Sequence, residues 1–276
     1  MSTVPEGLKV FTHLGILSHQ EAQAASGHNF AIECPFCGAD KALGIALEAR
    51  TRDDGFVVAP GMWRCFKCSR DGNNLTLLRQ MWEVCKSVTG SLVALANDRG
   101  LPESILREYK IIEAPYTEGQ YWVPVFSYDN EIANIYRYDL KLKAEGSKYS
   151  FIGCPGCTAG LFNVQTLNTK EDRFEYPIVC LEGHWDAIAW DHVLREAGHR
   201  DEWDVVATPG AQSFQLSWFR YFDGRPMILM YDHDPPKDVN GKTVQAGWDG
   251  IQRTIKLAKR SRDHKPSSIS VLEWKA

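Results

Sequence analysis

Four acidic side chains in the last hundred residues of this 276-residue chain carry its most specific chemistry: Glu182, Asp186, Asp232 and Asp234. Glu182 closes the apolar run YPIVCLE, and Asp232 and Asp234 close PMILMYDHD, so three acids stand at the carboxyl ends of expected strands. Open α/β sheets bind ligands at that edge. In an extended strand Asp232 and Asp234 point to the same side, where two carboxylates repel unless a cation separates them. Hard oxygen donors in this number suit Mg²⁺ or Mn²⁺, which keep several waters and bind substrate phosphates at the same time. Asp186, on the first turn of the helix expected after Glu182, either adds a ligand or complements the positive helix N-terminus.

A second constellation lies near the N-terminus. Cys34-Pro35-Phe36-Cys37 and Cys65-Phe66-Lys67-Cys68 are two Cys-x-x-Cys units with twenty-seven residues between them. Each such turn presents two sulfurs to one ion, and two turns complete a tetrahedron of thiolates around zinc. With no open coordination position, that zinc is structural, holding together a segment too small to bury a core of its own. The intervening sequence reads as short strands around an Asp53-Asp54-Gly55 turn. Arg64, Lys67 and Arg70 add positive charge beside the second turn, either as contacts to a phosphate backbone or as an ordinary solvated surface. A third pair, Cys154-Pro155-Gly156-Cys157, lacks partners at zinc-like spacing, although folding could bring Cys180 and His184 near it; it reads as a turn with free thiols ahead of a second metal site or a redox role, while Cys85 and Cys180 sit in apolar runs as small buried hydrophobes.

The elements that must hold these groups follow from the hydrophobic pattern. NLTLLRQMWEV has helical spacing, and helices with glycine breaks continue to Tyr109. From Tyr121 the pattern alternates, YWVPVFSYDNEIANIYRYDLKL, giving a hairpin that turns at Asp129-Asn130. On it Arg137, Lys141, Lys143 and Lys148 interleave with Tyr136, Tyr138 and Tyr149, a pattern open to base stacking or to plain hairpin packing with the lysines outside. The last hundred residues alternate fully apolar runs with helices (HWDAIAWDHVLREAGH, QLSWFRYFDG and one from about Trp248), which predicts a parallel sheet covered on both faces.

Composition sets the limits. With 44% apolar and 24% charged residues the chain can bury a core, and its length favours two domains. Formal charge −4 gives no overall attraction to nucleic acid, so any such binding rests on local patches. The basic run from Arg253 to Lys265 reads as a solvated helix face. No apolar run is long enough for a membrane span and no basic leader precedes one, so a cytoplasmic location, with no membrane partner, is expected.

Leu181-Glu182-Gly183-His184-Trp185-Asp186 together with Tyr231-Asp232-His233-Asp234 resembles the Glu-Gly-x-x-Asp and Asp-x-Asp signature of the TOPRIM domain. The order of parts, four-cysteine ribbon first and TOPRIM last, resembles DnaG-type primases of bacteria and bacteriophages, the ribbon being similar to the four-cysteine kind of phage primases. Arg137, Lys148-Tyr149 and Gly160-Leu161-Phe162-Asn163 resemble motifs lining that family's nucleotide and template groove; Thr208-Pro209-Gly210-Ala211 and Ala246-Gly247-Trp248-Asp249-Gly250 resemble its Pro-Gly loop and Ala-Gly-x-Asp helix start. Two departures stand out: the long interval between the cysteine pairs, and the insertion PPKDVNGKTVQ after Asp234, whose Gly-Lys-Thr is not a P-loop.

The resemblance implies an α/β (α+β overall) chain: a small β zinc-ribbon domain at 1–86, a helical linker at 87–109, and a catalytic core at 110–276 made of a mixed β subdomain (110–175) and a TOPRIM parallel α/β sheet (176–276). It implies a DNA primase, a nucleotidyltransferase making short RNA on single-stranded DNA from ribonucleoside triphosphates with release of pyrophosphate, partnered in trans by a replicative helicase. Glu182, Asp232, Asp234 and Asp186 would be catalytic, with Mg or Mn on the first three; Arg137, Lys148, Tyr149, Arg64 and Lys67 would bind nucleotide or template; Cys34, Cys37, Cys65 and Cys68 would hold zinc. A TOPRIM nuclease and a non-catalytic DNA-binding or recombination module are the alternatives.

Overall fold

The structure is a computed structural model that describes residues 3–88, 90–167, 175–233, 235–239 and 242–272. Asp234 lies outside the described residues. By contacts the chain divides into two compact units, one of residues 1–98, 106–124 and 132–158, the other of 99–105, 125–131 and 159–276. No helix among the described residues is long and apolar enough to cross a membrane.

The first unit holds two four-stranded sheets. In one, β1 (Asn29–Ile32), β2 (Leu43–Ala46), β3 (Trp63–Cys65) and β4 (Asp71–Gly72) pair antiparallel in that order. Between β2 and β3 the expected turn at Asp53-Asp54-Gly55 joins a two-residue ladder, Arg50–Thr51 against Val57–Val58, with Gly55 at φ +81. Helix α1 (Asn74–Cys85) follows β4; the Asn73 side chain caps it by accepting from the Thr76 N–H at 3.0 Å, which satisfies one of the donors a helix start leaves open. Its apolar stripe, Leu77, Leu78, Met81, Trp82 and Cys85, is buried, and Arg79 Nε donates to the Ile132 carbonyl at 3.0 Å. The helices expected before Tyr109 are Val93–Arg99 and Glu103–Glu108.

The other sheet is formed by β5 (Ile112–Glu113), β6 (Gln120–Phe126), β7 (Ile132–Asp139) and β8 (Phe151–Gly153), in the order β8-β7-β6-β5. The turn between β6 and β7 falls at Asp129-Asn130, with Asn130 at φ +60, a conformation asparagine tolerates better than most residues.

The second unit is built on four parallel strands: β9 (Ile178–Leu181), β10 (Asp204–Ala207), β11 (Pro226–Met230) and β12 (Ser268–Val271), in the order β10-β9-β11-β12. The first three are almost wholly buried, as expected of a covered parallel sheet. Helices α2 (His184–Glu196) and α3 (Ala246–Arg260) complete the unit. QLSWFRYFDG, expected as an α-helix, is instead the short 3₁₀ helix Leu216–Tyr221. Its aromatics, with Phe214 and Phe222, pack into the core beside Met227 and Leu229, and that crowding decides the tighter winding. At the amino end of the sheet a buried Arg225–Asp204 pair (2.6 Å), with Arg225 also donating to the Tyr176 carbonyl at 2.8 Å, joins the starts of β10 and β11. The inserted segment after Asp234 forms an antiparallel pair, Lys237–Val239 with Lys242–Val244.

Candidate functional site

In the second unit the chain passes from β9 to β10 on one side and then to β11 on the other, so the order reverses between β9 and β11. The carboxyl ends at such a reversal leave a crevice that the following segments do not cover, the ordinary ligand position of open α/β sheets. Leu181 and Met230 are in register across it, so the chain leaves both strands at one level. Glu182 follows the first strand and accepts a hydrogen bond from the Asp232 backbone N–H through Oε2 at 3.3 Å. Strand β11 ends at Met230, which corrects the expectation that Asp232 and Asp234 belong to it. Tyr231 is buried in the core, and Asp232 lies on the loop beyond it.

Three segments hold these acids. Thr208, buried at the end of β10, donates its backbone N–H to the Leu181 carbonyl at 2.9 Å, and its hydroxyl lies 3.2 Å from the Glu182 carbonyl. That is the work of the Thr-Pro-Gly-Ala loop. Gly247 and Gly250 lie on one face of α3: a Cβ at Gly247 would stand 2.0 Å from the Asp232 carbonyl oxygen, and one at Gly250 would stand 2.3 Å from that of Ala211. The two glycines let the helix start lie directly on the Asp232 loop and the Pro-Gly loop. Gly183, the residue before α2, leaves room for Asp186 Oδ2, which would be 2.6 Å from a Cβ there.

The electrostatics agree with the placement. Burial, then the neighbouring Asp232 carboxylate, raise the Asp186 pKa to about 6, with Arg99 opposing. Arg99 also lies over the Trp185 ring, 4.4 Å from its centroid, and was missed in the sequence because it stands at the end of a short helix with no motif around it. His184 is fully enclosed against Phe162, ring centroids 4.7 Å apart, and burial lowers its pKa to about 3, so it is a neutral packing group. Among the described residues the four cysteines Cys34, Cys37, Cys65 and Cys68 form a group whose ligand atoms all lie within 4.8 Å of one another. Trp248, on the first turn of α3, is 42% exposed and lines a small pocket with Asp232 and His233.

The cysteine site fits zinc closely. A tetrahedron with Zn–S bonds of about 2.3 Å has sulfurs about 3.8 Å apart, and Cys34–Cys68 and Cys37–Cys65 stand at 3.9 and 3.8 Å. Backbone N–H groups of Cys68 and Lys67, each 3.4 Å from Cys65 Sγ, pull the Cys65 pKa down to about 6 and favour the thiolate a metal needs. Gly38 and Ser69, at φ +67 and +60, close the two cysteine turns. Beneath them Phe36 stacks on Trp63, centroids 5.5 Å apart, and Arg70 caps the Phe36 ring at 4.7 Å. Arg64 and Lys67 are exposed, and between Cys65 and Lys67 stands Phe66, 77% exposed, an aromatic the sequence reasoning passed over.

The aromatic and basic hairpin divides into two faces. Tyr136 and Tyr138 are buried against Phe151, centroids 5.2 and 5.9 Å away, so they are packing groups rather than stacking platforms. Asp98 accepts from the Tyr138 hydroxyl and from Lys143, each at 2.6 Å. Arg137 points to the opposite face of β7, opposite Ile152 of β8, and burial lowers its pKa. Lys148 lies over Tyr149, 5.1 Å from its centroid, and Tyr149 is exposed. The Gly-Leu-Phe-Asn segment sits in the second unit as an anchor: Phe162 bridges to Ala207, and Asn163 donates to the Val205 carbonyl at 2.8 Å.

No family profile matches the chain, and no curated protein matches it in sequence. Its fold does match solved structures. A DnaG primase catalytic domain bound to single-stranded DNA is similar over 73% of this chain and 72% of its own, at 13% identity and TM-score 0.51. The E. coli primase catalytic core is similar over the same shares at 12% identity and TM-score 0.50. A further DnaG catalytic core gives TM-score 0.50 at 13% identity, again over 73% and 72%. The chain therefore has the mixed α/β fold of DnaG-type primase catalytic cores, with a four-cysteine site of zinc geometry in the same polypeptide.

Proposed function

We propose that this chain is a DNA primase, making short RNA on single-stranded DNA by metal-dependent nucleotidyl transfer. The observation that carries the reading is the meeting of Glu182 and Asp232 where the strand order reverses, with Asp186 beside them, its pKa raised by burial and by Asp232. Acids gathered at one edge of the sheet suit a divalent cation, Mg²⁺ or Mn²⁺, on Glu182 and Asp232, with Asp234 by its place in the sequence and Asp186 as a further ligand. Bound there, such an ion stabilises the charge that builds up on attacking and leaving oxygens when a 3′-hydroxyl attacks an α-phosphate. The protein's part is to orient: Thr208 fixes the chain at Glu182, and the Gly247 contact fixes Asp232.

In this reading residues 1–86 present the template, with Arg64 and Lys67 on its phosphates and the zinc ribbon as a rigid mount. Residues 87–109 link it to a core at 110–276, whose TOPRIM part spans 176–276. Arg137 and Lys148 neutralise phosphate charge, and the exposed Tyr149 offers a ring to a base. Ribonucleoside triphosphates are the substrates, and strand opening comes from a replicative helicase in trans.

The test is incorporation of labelled ribonucleotides on mixed single-stranded DNA with Mg²⁺ or Mn²⁺, comparing the wild type with Asp232→Asn. Short products from the wild type alone support the reading. Metal-dependent loss of the template without products replaces it with a nuclease, and DNA binding with neither activity replaces it with a binding module.

A further inference from the structure

The third cysteine pair has a definite geometry. Strand β8 ends at Gly153, and Cys154-Pro155-Gly156-Cys157 turns back on itself: the Cys157 N–H donates to the Cys154 carbonyl at 3.2 Å, proline is second and Gly156, at φ +75, is third. These are the marks of a type II turn, which brings its first and fourth Cα atoms within about 7 Å, overlapping the separation that a disulfide spans. The Cys154 side chain is buried, 3% exposed, and its backbone N–H is held by Asn134 Oδ1 on β7 at 2.9 Å. Cys157 is half-buried and open to small reagents. Each thiol perturbs the other: Cys157, then burial, raises the pKa of Cys154, and Cys154 lowers that of Cys157. Among the described residues no further His, Cys, Asp or Glu converges on the pair to complete a metal shell.

We propose that Cys154 and Cys157 form a reversible dithiol–disulfide couple that exchanges with small-molecule disulfides. The Cys157 thiolate attacks one sulfur of a disulfide RSSR, forming a mixed disulfide and releasing RS⁻. Cys154 loses its proton and attacks the Cys157 sulfur, closing the Cys154–Cys157 bond and releasing the second RS⁻. Two protein thiols lose two electrons and two protons; the disulfide takes both electrons and leaves as two RSH. Half-exposed attacking thiol and buried resolving thiol are the arrangement the exchange requires. The inference stands apart from the proposed primase activity, because it uses neither the acids nor the zinc site.

The experiment equilibrates the zinc-loaded full chain in glutathione buffers of rising disulfide fraction, quenches with acid, alkylates and measures mass. The expected result is loss of two alkylatable thiols together, with the new bond mapped to residues 154–157 and zinc retained. Cys154→Ser should trap one glutathione on Cys157, and Cys157→Ser should leave Cys154 reduced. The proposal is overturned if the wild-type pair stays alkylatable throughout, if oxidation takes the zinc cysteines first with release of metal, or if Cys154→Ser collects no glutathione at Cys157. The wild-type measurement decides even if a variant fails to fold.

Discussion

The backbone N–H of Asp232 donates to the Glu182 carboxylate at 3.3 Å, so the ends of two neighbouring parallel strands are tied through the acid proposed to bind metal. Glu182 is thus held by the loop that carries its partner. Glu182→Gln and Asp232→Asn keep the shape of each side chain and remove its charge. Each should lower primer synthesis by roughly a hundredfold or more, the effect of losing several kcal/mol of charge stabilisation, with circular dichroism unchanged. Activity within a factor of a few of wild type would remove both from the site.

Asp186 predicts a pH dependence with a definite sign. Its pKa is raised from 3.8 to about 6 by burial and by Asp232, so between those values the folded chain holds a proton that the unfolded chain does not. Its contribution to stability is full below pH 3.8 and is lost as pH rises through about 6. Without divalent metal, Asp186→Asn should therefore raise the unfolding midpoint at pH 7.5 more than at pH 5, as read in urea titrations. Equal shifts at the two pH values would exclude the predicted titration.

Gly247→Ala tests the seat of α3. Alanine ordinarily favours a helix interior over glycine by about 0.5–1 kcal/mol, but here the new methyl would stand 2.0 Å from the Asp232 carbonyl oxygen. The helix or the loop must move. A destabilisation of about 2 kcal/mol or more, with loss of synthesis even where the variant remains folded, is the expected outcome, and a more stable, fully active variant would show that the contact does not position Asp232.

The ribbon makes separate predictions about metal and DNA. Cys65→Ser should lose zinc, measured by metal analysis of the purified chain, and weaken template use. Arg64→Ala and Lys67→Ala should each leave zinc in place and reduce the salt dependence of single-stranded DNA binding by about one counterion. Unchanged salt slopes would place the template elsewhere.

Legibility in the sequence followed the range of the interactions. The cysteine turns were readable because zinc ligation needs fixed residue types at fixed short spacing, and the covered parallel strands because burial on both faces leaves an unbroken apolar run. Arg99 was hidden: eighty-six residues lie between it and Asp186, and only folding brings their charges together. Tyr136 and Tyr138 flank Arg137 in the sequence, yet pleating sends them to the opposite face and into the core, so the apparent mixing of rings and charges was partly an effect of reading along one dimension. The end of β11 at Met230 and the 3₁₀ winding of Leu216–Tyr221 depend on the packing of Tyr231, Phe214 and Phe222, which local propensity does not encode.

The parallel order β10-β9-β11-β12 also has a temporal side. Glu182 and Asp232 stand fifty residues apart in the chain, and their strands are not linked by a tight turn that would pair them early. During synthesis Glu182 and Asp186 leave the ribosome well before Asp232, and a nascent chain lacking β11 offers only part of the proposed ligand set, which has little hold on a divalent ion. Joining Glu182 to Asp232 depends on loop closure across an intervening strand and helix, a slow, entropically costly step compared with forming the N-terminal hairpins. The cysteine turns, complete by residue 68, can take up their metal while the acids are still being made.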